Sequence, residues 1–301
     1  MVRRILRLVM VWVGITLVTF FLLRLTGNPA RIVLGQFASD AVIQEFNIKH
    51  GLDQPILSQY ISFITNVLRG DLGTSWRFAE PILPIIMERV PATLELALGS
   101  LFVATFVGIP LGVLSALKRE TPSDYLSRGL VLLTQGIPNF FLALMFIIFF
   151  GVYLGWLPTG GRGGFKHLVL PAIVLGLYLM PLTLRTTRGA VLDILGQNYV
   201  RTARGKGVRE NSIVWRHVFR NAAIPIITIF GIQIATLFSG AIITETVFSW
   251  PGIGRLIVAA VTGRDFPVIQ GVVLIISTVV VIINLIVDIL YRVIDPRISL
   301  D

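Results

Sequence analysis

Leu130-Val-Leu-Leu-Thr-Gln135-Gly-Ile-Pro138-Asn139-Phe-Phe-Leu-Ala-Leu-Met-Phe-Ile-Ile-Phe-Phe150-Gly-Val-Tyr-Leu-Gly-Trp156-Leu157 runs for 28 residues without one Asp, Glu, Lys or Arg. As a helix it would extend about 42 Å, more than the roughly 30 Å hydrocarbon core of a bilayer. Five further runs also lack these four residues: Leu8–Leu23, Leu96–Leu117, Leu168–Leu184, Asn221–Thr244 and Phe266–Val287. Leu8–Leu23 and Leu168–Leu184 are the short ones. Arg7 and Arg24 can snorkel from the first, and helix-compatible residues continue the second. The composition agrees, with 54% hydrophobic and 14% charged residues against about a quarter charged in soluble domains. These observations predict an all-α integral membrane protein with six transmembrane helices.

Loop charge predicts the orientation, because Lys and Arg near span ends stay on the cytoplasmic side. With the N-terminus inside, that side holds Arg3, Arg4, Arg7, Lys118, Arg119, Arg128, eight basic residues from Arg185 to Arg220, Arg292 and Arg297. The short outer loops hold only Arg162, Lys166, Arg255 and Arg264. Both termini are therefore expected in the cytoplasm, with a long external segment after the first helix. The formal charge of +10 follows from these membrane-flanking positives, so the lipid bilayer is the expected partner and no nucleic acid is expected. Zero Cys excludes disulfides and thiolate chemistry. Arg3, Arg4 and Arg7 before an apolar run also fit a signal peptide, but no small-x-small site follows at Arg24 or Thr26-Gly27-Asn28-Pro29, so the run is expected to remain.

The expected organisation is an N-terminal tail and first helix over 1–25, an external segment over 26–92, and a helical membrane core over 93–301. Asn28-Pro29, Gly51-Leu52-Asp53-Gln54-Pro55 and Gly70-Asp71-Leu72-Gly73 punctuate the external segment, with an amphipathic run at Ile56–Leu68. Pro91 is read as the opening of the second span. Within the spans, Gln135 and Asn139 bracket Pro138, and Gln233, Thr236, Ser239 and Thr244 follow helical spacing. These residues are candidates for a polar pathway or for interhelical hydrogen bonds. Glu245, at the outer end of the fifth span, is a candidate gate, a docking point or a structural ion pair. Gly108-x-x-x-Gly112 and Gly151-x-x-x-Gly155 are weak signals of close helix packing. Trp156, Trp250 and Tyr291 read as interface anchors, and Asp288 as a partner of Arg292.

Residues 185–221, between the fourth and fifth spans, carry the most information. Tyr199–Arg204 reads as helix, Gly205 and Gly207 as a sharp turn, and Asn211 or Ser212 as the cap of a second short helix. On that helix Val214, Trp215, Val218 and Phe219 share an apolar face, and Arg216 and Arg220 share another. Two short helices held rigidly under a membrane can receive force from a soluble partner. Composition alone favours binding of anionic lipid.

Tyr199-Val-Arg201-Thr-Ala203-Arg204-Gly-Lys206-Gly207, followed by Arg216-His217-Val-Phe-Arg220-Asn221-Ala222, resembles the EAA loop of ATP-binding-cassette importer permeases, in its dipeptide/oligopeptide/nickel version. The likeness continues through Gly51–Pro55, Gly70–Ser75, Pro91–Leu96, Gly155–Pro158, Leu170–Ala172, Thr244–Arg255, Arg264–Gln270 and Asp295–Arg297. The long external segment makes the chain similar to the first, B-type permease of a pair. Gln197-Asn198 stand where such permeases often have an acidic pair, Gly205 where Ala is usual, and Arg209 where Ser or Thr caps.

The resemblance implies half of a translocation pathway for peptides or related solutes such as nickel, glutathione or metal chelates. It implies a second permease, two cytoplasmic ATPases and an external solute-binding protein as partners, in a bacterial or archaeal cytoplasmic membrane. It assigns ATPase coupling to Tyr199, Arg201, Ala203, Arg204, Lys206, Gly207, Val208, Arg209, Glu210, Ser212, Arg216 and His217. No cofactor or metal is expected on this chain, and ATP and Mg belong to the partners. The sequence has no phosphate loop, since Gly160–Lys166 lacks the terminal hydroxyl, so the chain itself is not expected to be an enzyme. An ion-driven secondary transporter is the alternative, but it usually needs ionisable groups at mid-membrane, and the six runs carry no Asp, Glu, Lys or Arg. An intramembrane hydrolase would need His in a span, whereas His50, His167 and His217 are read in loops.

The topology is tested by impermeant thiol labelling of single-cysteine variants. Tyr60→Cys is expected to react in intact cells and Lys206→Cys only after permeabilisation. The reverse pattern overturns the orientation.

Overall fold

The computed structural model describes residues 2–25, 29–35 and 37–294, with side chains described except at 2–8, 22–25, 224, 235, 238–240 and 287–294. Arg3, Arg4, Arg7, Arg24, Thr26–Asn28, Asp288, Tyr291, Arg292 and Asp295–Arg297 therefore lie outside the described side chains, as does Ser239. The described residues are helical throughout, apart from turns and one isolated bridge between Thr74 and Pro81. The chain divides into two compact units, Met1–Pro91 with Arg255–Ile282, and Ala92–Gly254 with Ile283–Asp301.

In the first unit, α1 (Val2–Leu25) is followed by α2 (Pro29–Leu34), α3 (Asp40–Lys49) and α4 (Ile56–Leu68). The amphipathic run is thus a helix with the expected bounds. Phe20 of α1 sets its ring 5.2 Å from Tyr60 and 5.8 Å from Phe63 of α4, and Thr16 Oγ1 shares a 3.0 Å hydrogen bond with Tyr60 OH. The buried carboxylate of Asp265 accepts from Ser75 Oγ and from the Trp76 backbone N–H at 3.2 Å. That bond set ties the loop after α4 to the turn between α12 (Ile253–Thr262) and α13 (Phe266–Ile294).

The second unit is built on α5 (Ile82–Leu117), α6 (Pro122–Gly136), α7 (Asn139–Phe146) with a π-helical continuation over Ile147–Tyr153, α8 (Phe165–Leu195) and α11 (Arg220–Val247). Its centre is α8, buried at intervals from Leu170 to Ile194. Leu175, Leu179, Met180 and Leu184 of α8 form one core with Leu96 and Ala104 of α5, Leu237 and Ala241 of α11, and Trp250. Glycine sets the α5–α8 spacing. A Cβ at Gly112 would stand 2.7 Å from Thr187 Cβ and 2.8 Å from the Leu184 carbonyl oxygen. One at Gly108 would meet Thr183 Cβ at 2.9 Å, and one at Gly176 would meet Val103 Cβ at 2.6 Å. The Gly108-x-x-x-Gly112 pair therefore marks a close contact of the kind small residues permit between helices.

Several sequence expectations are corrected. The run Leu130–Leu157 is not one straight helix. Ile137 is extended (φ −94°, ψ 123°), as the residue before proline prefers to be, and the helices on either side of Ile137-Pro138 diverge by 101°. Pro91 does not open a helix, since α5 begins at Ile82 and Pro91 lies within it. Gly151 faces Thr159 of the following loop, and Gly155 turns the chain at φ +63°, so that glycine pair makes a turn and not a helix contact. Trp250 is fully buried, its indole N–H donating to the Ala92 carbonyl at 2.7 Å, so it is a core residue and not an interface anchor. His167 lies in the first turn of α8 and His217 in a helical segment, not in loops.

By length and composition, three described helices can cross a membrane: Ile82–Leu117, Phe165–Leu195 and Phe266–Ile286. The count rises to five if the pair broken at Pro138 and the pair Glu210–Ala223 with Pro225–Ile234, bent by 45°, are each one span. In α1 the described apolar helix covers Val9–Phe21.

Gly112→Ala is expected to destabilise the protein by about 1–3 kcal/mol, the usual cost of overpacking, seen as a lower thermal midpoint of the purified protein. Gly189→Ala, whose Cβ would meet nothing within 4 Å, is the control and is expected to be neutral or mildly stabilising.

Candidate coupling surface and translocation cavity

Two short helices, α9 (Asn198–Gly205) and α10 (Glu210–Ser212), lie between α8 and α11, and a π-helical turn over Ile213–Phe219 joins α10 to α11. The turn between α9 and α10 is closed by backbone geometry. Gly207 N–H donates to Arg204 O at 2.9 Å, Val208 N–H donates to Ala203 O at 3.2 Å, and Gly207 sits at φ +75°. This is a Schellman termination, in which the left-handed residue is normally glycine. Gly205 is the last residue of α9 and takes no part in the reversal.

Arg209 stands at the cap position of α10, and the N–H groups of Ser212 and Ile213 donate to its carbonyl at 2.9 and 3.1 Å. The expected cap at Asn211 or Ser212 is thus displaced, because the helix starts at Glu210. Across the turn, Arg204 Nε and Nη2 donate to the two Glu210 carboxylate oxygens at 3.1 and 2.5 Å. The Arg204 hydrogen bonds hold the Glu210 carboxyl below its ordinary range, against a smaller opposing effect of desolvation. Both side chains are about half exposed, so this fork supplies geometry more than stability, at most about 1 kcal/mol.

The underside of the module is anchored. Val200 of α9 and Ile213, Val214 and Val218 of the π turn are buried with Val113 and Ala116 of α5, Val191 and Ile194 of α8, and Ala222 and Ile226 of α11. Asn221 Nδ2 donates to Tyr199 OH at 3.0 Å and to the His217 carbonyl at 2.7 Å, pinning α9 to the start of α11. The π turn changes the expected apolar face. Its wider winding buries Ile213, Val214 and Val218 and leaves Trp215 57% exposed beside Phe219, with ring centroids 5.2 Å apart. Arg201, Arg204, Lys206, Val208, Arg209, Glu210 and Arg216 are also exposed, whereas Ala203, Ser212 and His217 are half-buried.

A charge cluster braces the helices that carry this module. Asp124, fully buried near the start of α6, accepts from Ser115 Oγ of α5 at 2.5 Å and from the Glu120 N–H at 3.1 Å. Arg188 of α8 donates to it through Nε at 3.1 Å and Nη2 at 3.3 Å, and Arg128 Nη2 stands 3.4 Å away. Sequence reading missed this cluster. Thr121-Pro122-Ser123-Asp124 reads as an ordinary helix start, which hides the partners that Asp124 takes from two other helices.

The candidate pathway residues divide. Gln135, Asn139, Gln233 and Thr236 line one cavity of about 330 Å³ at the break between α6 and α7, together with Thr134, Tyr178, Leu179 and Leu182. Gln233 is fully buried, and its Nε2 donates to Leu179 O at 2.9 Å and to Thr183 Oγ1 at 2.7 Å. Asn139 Nδ2 donates to Thr244 Oγ1 at 3.1 Å. Arg185 Nη1 donates to Gln135 Oε1 at 3.3 Å. Thr244 and Glu245 are buried outside the lining. Glu245 accepts from Thr93 Oγ1 at 2.8 Å, and a Cβ at Gly252 would collide with its carboxylate. These polar residues thus make hydrogen bonds between helices, and four of them also line the cavity.

A body of apolar helices with a braced basic module and a cavity at a broken helix fits a membrane component of a transport system, and the family comparison makes the assignment. Residues 108–300 match the family model described as binding-protein-dependent transport system inner membrane component, and residues 1–97 match the N-terminal model of such membrane components. The chain belongs to this family.

It is 40% identical to the dipeptide transport system permease protein DppB of Alkalihalophilus pseudofirmus, over 99% of this chain and 98% of the relative. It is 39% identical to the oligopeptide transport system permease protein AppB of Bacillus subtilis, over 99% and 98%. It is 38% identical to the dipeptide permease protein DppB of Escherichia coli K12, over 98% and 97%. Among solved structures, an inward-facing form of the MetNI methionine ABC transporter matches with a TM-score of 0.63 at 21% identity, covering 72% of this chain and 100% of that one. An amino acid ABC transporter matches at 0.53 and 16%, covering 72% and 95%. At these identities the likeness is one of fold. The protein is a multi-pass membrane permease component of an ABC importer, a transport component and not an enzyme.

Asp124→Asn is expected to cost about 1–3 kcal/mol, because the fully buried Asp124 loses its charge-assisted bonds and the partly buried Arg188 loses its counter-charge. The measurement is the thermal midpoint of the purified protein, and the double variant Asp124→Asn with Arg188→Leu is expected to recover part of the loss.

Proposed function

We propose that the chain is one of two permeases in a bacterial or archaeal importer of small peptides, crossing the cytoplasmic membrane six times with both termini inside. Two ATPases carry ATP and Mg, a binding protein delivers solute from outside, and this chain itself holds no cofactor. The names of its relatives, dipeptide and oligopeptide permeases, support the cargo class. The observation that carries the coupling role is the α9–α10 module, whose buried underside cannot yield separately from α5, α8 and α11. Its exposed rim, with Val208, Trp215 and the basic residues around Gly207, fits a cleft in an ATPase, as the arms of a lever fit a socket. When two ATPases close on nucleotide, displacement of this rim tilts the helices beneath it and changes which side the cavity faces.

Gly207→Pro forces φ to about −65° where the turn needs a left-handed residue, and Arg204→Glu sets two carboxylates against each other. In the reconstituted transporter both variants are expected to assemble while uptake driven by ATP falls at least about tenfold. Unchanged uptake and unchanged transport-linked ATP turnover in both would refute the coupling role.

A further inference from the structure

Two residues that line the cavity at the α6–α7 break carry carbonyl oxygens with nothing to accept from among the described residues. Gln233 Oε1 and Asn139 Oδ1 are buried without a hydrogen-bond partner among the described residues. The orientation of the Gln233 amide is fixed by chemistry, since the Leu179 carbonyl can only accept and so must face Nε2. Native proteins leave few buried acceptors unpaired, and each one calls for a water, an ion or a ligand. Here two belong to residues lining one cavity, whose volume of about 330 Å³ falls at the small end of small-molecule sites, roughly 300–1,000 Å³.

The complement of two unpaired carbonyls is a group rich in N–H donors. None of the lining residues is Asp, Glu, Lys or Arg. Outside the lining, Arg185 holds a fixed positive charge on Gln135 Oε1. A bare metal cation would meet that positive charge with only neutral ligands to offset it, whereas a zwitterion can turn its carboxylate towards Arg185. Neutral acceptors also hold an ammonium group weakly, which suits a site that must release its occupant onward. We infer that this cavity is a transient binding site for the free α-ammonium end of a small peptide, with Asn139 Oδ1 and Gln233 Oε1 as its acceptors. This rests on the peptide reading proposed above.

The test uses the complete transporter in lipid nanodiscs, without the solute-binding protein, and saturation-transfer NMR with two probes, Ala-Ala and N-acetyl-Ala-Ala. Wild type is expected to bind Ala-Ala, with the acetylated peptide at least about tenfold weaker, the scale of one charge-assisted hydrogen bond. Asn139→Leu and Gln233→Met are each expected to weaken Ala-Ala about tenfold, and Asn139→Asp, which keeps an acceptor and can take a hydrogen bond from the Thr244 hydroxyl, is expected to retain it. Size-exclusion profiles confirm assembly, and Asn139→Leu leaves the Gln233 bonds to α8 in place should Gln233→Met fail to assemble. Equal binding of both probes, or Ala-Ala affinity unchanged in the first two variants, would overturn the inference. So would absent binding in a wild type that still imports Ala-Ala when the binding protein is added, which means the acceptors hold water only. A wild type that imports no peptide at all defeats the peptide reading itself, and this inference with it.

Discussion

The close approach of α5 and α8 is the contact on which the second unit depends. Gly108, Gly112 and Gly176 bring helix backbone within reach of the neighbouring side chains and carbonyls, where dispersion and dipole contacts replace the hydrophobic drive that lipid does not supply between helices. Because the two helices are pinned along this seam, Ser115 and Arg188 converge on Asp124. The apolar ends of the same helices, at Val113, Ala116, Val191 and Ile194, also make a floor on which α9 and the π turn sit. A looser seam would leave a buried carboxylate without its donors and the basic module without a base.

The module is therefore stiff beneath and open above. Its reversal depends on one left-handed residue and two backbone hydrogen bonds, and its exposed rim mixes positive charge with Trp215 and Val208. Aromatic side chains ringed by Arg are the groups that most often anchor a protein interface. For the coupling role proposed above, stiffness would matter because a displacement applied to a compliant loop is absorbed locally, whereas interdigitated cores pass it on.

Much of this was legible in the sequence because membrane solvent imposes simple rules. Charge-free runs located α5, α8, α11 and α13, and the glycine at 207 located the turn. The polar residues flanking Pro138 and those on the fifth run identified four of the side chains that meet in the cavity. The misreadings share a physical origin in information that is not periodic. A 3.6-residue pattern placed Trp215 on the apolar face, but a π turn winds more widely and rotates it outward. Pro91 was read by position preference, yet a helix with a buried start at Ile82 tolerates it. Asp124 gave no signal because its partners Ser115 and Arg188 stand 9 and 64 residues away, a proximity created only by folding.

The break at Ile137-Pro138 has a consequence for how such a membrane body stays sealed. Interrupting a helix frees main-chain amides and carbonyls, and hydrocarbon offers them nothing, so non-helical backbone survives at that depth only beside protein or trapped solvent. The void at the break is consequently a place that cannot be dried without penalty. In the importer proposed above, hydration would have to travel with the kink or be exchanged for an occupant, so that permeability to water and passage of cargo would be governed by the same few ångströms of chain.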